Sequence, residues 1–360
     1  VALGVIVLSR ISANEYAITP GGAQNVAPLI SINGTSGSTS VHSGSLLLTD
    51  VSLSPVTWLN YLWFKATADA EFVPAKALVP AGVPVSQLDA QGFLEMAQSK
   101  DAAKVAALER LGYSVGATPD GALITAVGAK APAEGSLSVA DVVDEVNGKQ
   151  ISNSCGLIAA VHALAPGTRV ELGVRKATIK RDGAIARGDS TPVAVTLGKA
   201  AHPSASNCPG VSGVSTSFLG VGLEDDVAYR FPMDISISTP NIGGPSAGLA
   251  MTLGIIDRLS GGHLVGNRKL AATGTMDPFG RVGDVGGVPQ KTVAVSRAGA
   301  HIFLVPHEEL GAAQKKAPAA LKVTAVSTLD EAINRLEALG GTLTMANGTV
   351  ESRTSKGLAP

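Results

Sequence analysis

The stretch "NIGGPSAGLAMTLGIID", residues 241–257, sets one serine, Ser246, between a Gly-Gly-Pro turn and an almost wholly apolar run. Three local readings compete. Serine is a favoured helix N-cap, although the capping-box position three residues on holds Leu249 rather than Glu or Gln. Glycines ahead of a helix suit an anion, yet the phosphate-loop pattern G-x-x-x-x-G-K-[ST] is absent from the chain. Gly-Pro-Ser-Ala-Gly also fits G-x-S-x-G, a nucleophile turn. Taken alone, the stretch leaves all three open.

A nucleophilic serine needs a base. A triad order exists in Asp277 or Asp284 followed by His301 or His307, but the alternating strand–helix series of an α/β-hydrolase does not precede Ser246. A lysine serves instead if burial strips its proton. In "GGVPQKTVAVSRAGAHIFLVP" (286–306), Pro289 suits a helix start and Gly299 its end. At about 3.6 residues per turn, Lys291 falls between Ala294, Val295 and Ala298, with Gln290, Ser296 and Arg297 opposite. Val293 also lies on that polar side, and a lysine snorkelling from a half-buried helix is the ordinary alternative.

These segments together carry a resemblance. "GGPSAGLAM…ATGTMDPFGRVGDVGGVPQKTVAVSRAGAHIFLVP" (243–306) closely resembles the proteolytic domain of Lon-type serine peptidases, which has a ribosomal protein S5 domain 2-like fold. The resemblance implies Ser246 as nucleophile and Lys291 as general base, with Thr273 hydrogen-bonding the lysine amine. Backbone amides around Gly244 to Ala247 are the expected oxyanion donors. It also implies association of copies into a ring.

Upstream, a strand at 122–127, "DVVDEVNGK", a short helix and "PGTRVELGV" resemble a bacterial PDZ domain over residues 112–200. Such domains capture a peptide C-terminus as an added strand. The resemblance directs the search for the carboxylate site to the loop before strand 122–127, at "TPDG" (118–121). The expected fold class is therefore α+β and multi-domain, a PDZ-like domain followed by a Lon-type proteolytic domain. Residues 1–18 read as the end of a membrane anchor, 19–111 as a strand-rich region with amphipathic helices, and 201–213 as a linker. Residues 214–340 form the peptidase domain, and 341–360 a polar tail. "VALGVIVLSR" (1–10) is too short to span a bilayer and reads either as the distal end of a membrane helix or as a buried strand.

Composition narrows the classes. The 360 residues carry a net charge of −1 and 16% charged residues, which leaves no electrostatic footprint for nucleic acid. Cys155 and Cys208 show no zinc spacing, and whether they pair is open. The six histidines have no metal-ligand spacing, so neither metal nor cofactor is expected. Asp225 and Asp226 read as a solvated turn, and Asp234 as a polar-face strand residue. The resulting expectation is an ATP-independent serine endopeptidase acting on proteins or peptides, selected in part by their C-termini. It is held at the cell membrane by a single-pass anchor, with its catalytic part extracytoplasmic. The alternative is a non-catalytic PDZ scaffold with a silent Lon-like domain.

Overall fold

A computed structural model describes residues 10–33, 44–67, 69–79, 81–180, 183–205, 207–209, 211, 213–345 and 350–351. The first third forms β1 (Ser12–Asn25), β2 (Ile30–Ile32), β3 (Ser45–Thr57), α1 (Trp58–Thr67), β4 (Glu71–Pro74), α2 (Ala75–Leu78) and α3 (Val85–Arg110). The middle supplies β5 (Gly116–Val127), β6 (Val142–Val146), β7 (Lys149–Gln150), α4 (Ser154–His162), β8 (Arg169–Ile179), β9 (Ile185–Thr196), β10 (Gly198–Ala205), β11 (Val214–Phe218) and β12 (Val221–Arg230). Next come β13 (Ile235–Ile237), α5 (Gly248–Leu259), β14 (Lys269–Ala272), β15 (Thr275–Met276), β16 (Val282–Gly283) and α6 (Val288–Arg297). The chain closes with β17 (Ile302–Pro306), α7 (Leu310–Gln314), β18 (Lys322–Val326), α8 (Leu329–Ala338), β19 (Leu343–Thr344) and β20 (Val350–Glu351).

Successive strand residues face opposite sides of a sheet, and three apolar strands exploit both. Leu46, Leu48, Leu270, Ala272, Ile302 and Leu304 point into one core, with Leu249 and Leu253 of α5 and Ile333 of α8. Their neighbours Leu47, Ala271, Phe303 and Val305 point into the other, with Val288 and Val295 of α6. The sheet runs β18-β17-β14-β3-β1-β4. Its strands β3, β14, β17 and β18 are parallel, while β1 pairs antiparallel with both β3 and β4. Helices α5 and α6 thus lie on opposite faces of β14.

The N-terminal strands are part of this body. The sequence alone separates region 19–111 from segment 214–340, but β3 pairs with β14 from Ser45↔Lys269 to Leu48↔Ala272. A second sheet, β12-β5-β6-β8-β9 with β7 on β6, encloses its own core with Leu157 and Val161 of α4. It is inserted between α3 and β13. Helix α3, whose 26 residues span about 39 Å, touches both bodies. Leu94 packs with Leu123, Val139 and Val142 of the insert, and Met96, Ala103, Ala107 and Leu108 pack in the first core.

Several expectations change on this fold. Residues 12–18, assigned to an anchor, lie in β1 and pair with β3, while Val1–Ser9 fall outside the described residues. No helix among the described residues is long and apolar enough to cross a membrane. The span 201–213 is only partly a linker, since β10 pairs with β11 and Cys208 is disulfide-bonded to Cys155 of α4. In the tail, Leu343 is buried and β19 pairs with β20, while 352–360 lie outside the described residues. Asp225 and Asp226 are strand residues of β12 rather than a solvated turn. Asp225 accepts from Ser154 N at 2.9 Å, and Asp226 is buried facing Arg175 and Arg187 at 3.4 and 3.5 Å. Their carboxylates have guanidinium and helix N-terminal partners from distant segments, which no local pattern reveals.

Candidate active site

Ser246 is half-buried in the loop that leads into α5. It is not the helix cap: Ala247 occupies that position, with no side-chain cap bond. The loop is tied to the end of β14. The Ser246 carbonyl accepts from Gly274 N at 3.0 Å and from Thr273 Oγ1 at 3.1 Å, and Leu249 N donates to Gly274 O at 3.1 Å. From the other side, α3 supplies two further ties. Gly244 N donates to Gly92 O at 2.7 Å, and the buried Ser99 hydroxyl donates to Pro245 O at 3.0 Å. Gly244 has φ +82°, a left-handed conformation that disfavours any side chain.

Lys291 sits in the first turns of α6, reached from the opposite face of the sheet. Gly287 caps that helix at φ +68°, and a Cβ there would stand 2.8 Å from Val51 Cγ1. This close approach seats the helix start against β3. Lys291 is only 2% exposed. Desolvation lowers its pKa from 10.5 to about 8, against the opposing pull of the Asp50 and Glu309 carboxylates. An amine so placed is partly neutral near physiological pH. Gln290, expected on the solvent arc, is also buried.

Thr273 joins the two. Its hydroxyl spends its one proton on the Ser246 carbonyl and accepts from Lys291 Nζ at 3.2 Å. No direct hydrogen bond links Lys291 Nζ to Ser246 Oγ among the described residues, and such contacts commonly tighten only when substrate binds. His301 and His307 are both exposed, and neither side chain bonds Ser246 among the described residues. Asp234 accepts from Asn33 Nδ2 at 2.6 Å.

The expected oxyanion donors divide. The Gly244 amide is committed to Gly92, so it is not available to a substrate. The Ser246 and Ala247 amides make no hydrogen bond among the described residues and stand at the N-terminus of α5. Sequence reading missed Ser99, Gly92 and Asp50. Nothing local marks them, since each acts on a loop or helix far away in the chain. No group of three or more His, Cys, Asp or Glu residues able to hold a metal occurs among the described residues.

The expected carboxylate loop also moves. "TPDG" (118–121) lies inside β5, paired across to β12 at Thr118↔Ala228 and Pro119↔Val227. The strand beside α4 is β12, contributed from beyond residue 200, and it is an edge strand. Between them runs a groove lined by Leu157, Ile158, Val161, Phe218, Val221 and Leu223. At its end Gly220 turns at φ +77°, and the Leu219 and Gly220 amides make no hydrogen bond among the described residues. This turn lies in "FLGVGL" (218–223), beyond the span 112–200 that the sequence reading gives to the PDZ-like domain.

Comparison with known proteins finds two family matches, whose boundaries differ from those of the two sheets because the Lon match includes β12. Residues 221–338 match the Lon protease (S16) C-terminal proteolytic domain, and residues 109–185 match the PDZ domain. The Lon protease of Malacoplasma penetrans is 34% identical over 128 residues, covering 34% of this chain and 16% of that protein. That of Clostridioides difficile is 45% identical over 65 residues, 18% of this chain and 8% of the relative. The chain therefore spans less than a fifth of the length of either relative. The PDZ domain of an SdrC-like protein from Listeria monocytogenes aligns at 19% identity over 29% of this chain and 87% of that one, with a TM-score of 0.21. The chain carries one segment that matches a PDZ domain and another that matches a Lon proteolytic domain. That combination is consistent with a PDZ-Lon peptidase.

Proposed function

We propose that this chain is an ATP-independent endopeptidase with Ser246 as nucleophile and Lys291 as general base. The observation that carries the reading is the buried Lys291 amine, its pKa lowered to about 8 and hydrogen-bonded to the threonine that clamps the Ser246 carbonyl. The neutral amine takes the Ser246 proton as Oγ attacks a peptide carbonyl. The Ser246 and Ala247 amides stabilise the oxyanion at the positive end of the α5 dipole. The lysine ammonium then protonates the leaving amine, and water repeats the sequence on the acyl-enzyme. A binding platform has no use for a desolvated lysine, which costs stability without a return in packing.

The PDZ domain selects substrates by an apolar C-terminus laid along β12, its carboxylate on the Leu219 and Gly220 amides. A disulfide between Cys155 and Cys208 favours an oxidising, extracytoplasmic setting, and the apolar Val1–Leu8 run supports a membrane tether. The test is casein cleavage without ATP by wild type, Ser246→Ala, Lys291→Ala and His301→Ala/His307→Ala. Loss in the first two variants with activity kept in the third supports the dyad. Activity that survives Lys291→Ala and disappears with the histidines overturns it.

A further inference from the structure

Helix α1 is apolar on the side it turns outward. At about 100° per residue, Trp58, Leu59, Leu62, Trp63 and Ala66 share one arc of about 140°. Trp58 is 45%, Leu62 57% and Trp63 66% exposed. The inward side is held by Tyr61, whose ring lies 4.7 Å from that of Phe72 on β4. A helix that is apolar on both sides calls for an apolar environment on the outer one as well.

The position of this face indicates the environment. Trp58 N donates to Ile11 O at 3.1 Å, so the helix starts beside Ile11, three positions after the apolar Val1–Leu8 run in the sequence. Ile11 is itself 48% exposed. The flanking cations Arg10 and Lys65 are exposed too. Tryptophan favours the boundary between lipid headgroups and acyl chains, where its ring is buried and its N–H stays wet. Both tryptophans of the chain lie on this one helix.

We infer that α1 is an interfacial helix, with Trp58, Leu62 and Trp63 seated in the surface of a lipid bilayer. It forms a second membrane contact, which fixes how the rigid body stands on its tether. The inference rests on the tether reading of Val1–Leu8, and the two fail separately in the test below. Its partner is a lipid surface; a second copy of the chain is the competing occupant.

Because both tryptophans belong to α1, intrinsic fluorescence reads this surface directly. The full chain is mixed with vesicles of phosphatidylcholine and phosphatidylglycerol, with and without brominated acyl chains, and flotation is scored in parallel. The expected result is a blue-shifted emission that brominated lipid quenches by half or more. Leu59→Ser/Leu62→Ser, which keeps both tryptophans, should lose most of that quenching while casein cleavage confirms an intact fold. Deletion of Val1–Ser9 should weaken flotation yet leave residual quenching at high lipid. Flotation without quenching would keep the tether and overturn the α1 contact. Quenching unchanged in Leu59→Ser/Leu62→Ser would overturn it as well. A blue shift that grows with protein concentration in the absence of lipid would assign the face to a second copy and likewise overturn the inference.

Discussion

Lys291 Nζ donates to Thr273 Oγ1 at 3.2 Å, and the same hydroxyl donates to the Ser246 carbonyl at 3.1 Å. One threonine at the end of β14 therefore sets the distance between a helix on one face of the sheet and a loop on the other. In the proposed mechanism this leaves the neutral amine's lone pair for the Ser246 proton.

Replacing Thr273 by valine keeps the shape and removes both bonds. We expect kcat to fall about 10- to 100-fold with KM within about twofold. Losing an acceptor that favours the charged amine should also move the acid limb of the pH–rate profile to lower pH. Thr273→Ser should restore both. A Thr273→Val variant with unchanged kcat and pH profile would remove the threonine from the machinery.

The lysine makes its own pH prediction. With Lys291 as the proposed general base, activity requires its neutral amine, so kcat/KM should rise about tenfold per pH unit below about 8 and level off above it. Stability follows the same group with a definite sign. The folded pKa lies below the unfolded 10.5, so the unfolded state binds more protons between about pH 8 and 10.5, and stability rises with pH across that window. Lys291→Met should be inactive and more stable at pH 7 by on the order of 2–3 kcal/mol, read by urea unfolding. A less stable Lys291→Met would mean the ammonium has a favourable partner in the fold.

Helix α3 holds the Ser246 loop through Ser99 and Gly92. Ser99→Ala leaves the Pro245 carbonyl without that donor and should cost about 1 kcal/mol of stability together with several-fold in kcat. At Gly92 the nearest atom to an added Cβ is 3.7 Å away, so Gly92→Ala should keep activity and gain up to about 1 kcal/mol in helix propensity. Gly244→Ala, at φ +82°, should instead cost about 1–2 kcal/mol and distort the loop. Steady-state kinetics beside thermal melts separates the three.

In the groove beside β12, Ile158→Glu should weaken binding of peptides with an apolar C-terminus at least tenfold by fluorescence anisotropy. Amidating the peptide C-terminus should have a similar effect, because the Leu219 and Gly220 amides then face no carboxylate. Cleavage of short unselected peptides should not change. If amidated and free peptides bind alike, the groove does not read a C-terminus.

The Cys155–Cys208 disulfide closes a loop with a sequence separation of 53. Cys155→Ser/Cys208→Ser should destabilise the PDZ domain by up to about 4 kcal/mol by the chain-entropy argument. The loss should appear as an earlier unfolding transition and weaker peptide binding, with the peptidase body melting as before.

What the sequence by itself determined was local chemistry. Ser246 after Gly-Gly-Pro, Thr273 before Gly274, and Lys291 inside an apolar helical arc are short-range patterns. They are legible because helical period and turn geometry depend on near neighbours. The α3, β6 and α6 elements could be read in the same way. The tertiary structure decided which distant segments meet. That β3 would pair with β14, that β12 would complete the inserted sheet, and that Ser99 and Gly92 would grip the Ser246 loop all depend on long-range pairing. A strand's hydrogen-bonding edge is the same whatever its partner, so register and order are set by core packing rather than by any local motif. The lysine's lowered pKa belongs to both: the sequence put an amine on an apolar face, and the layered fold removed the water around it.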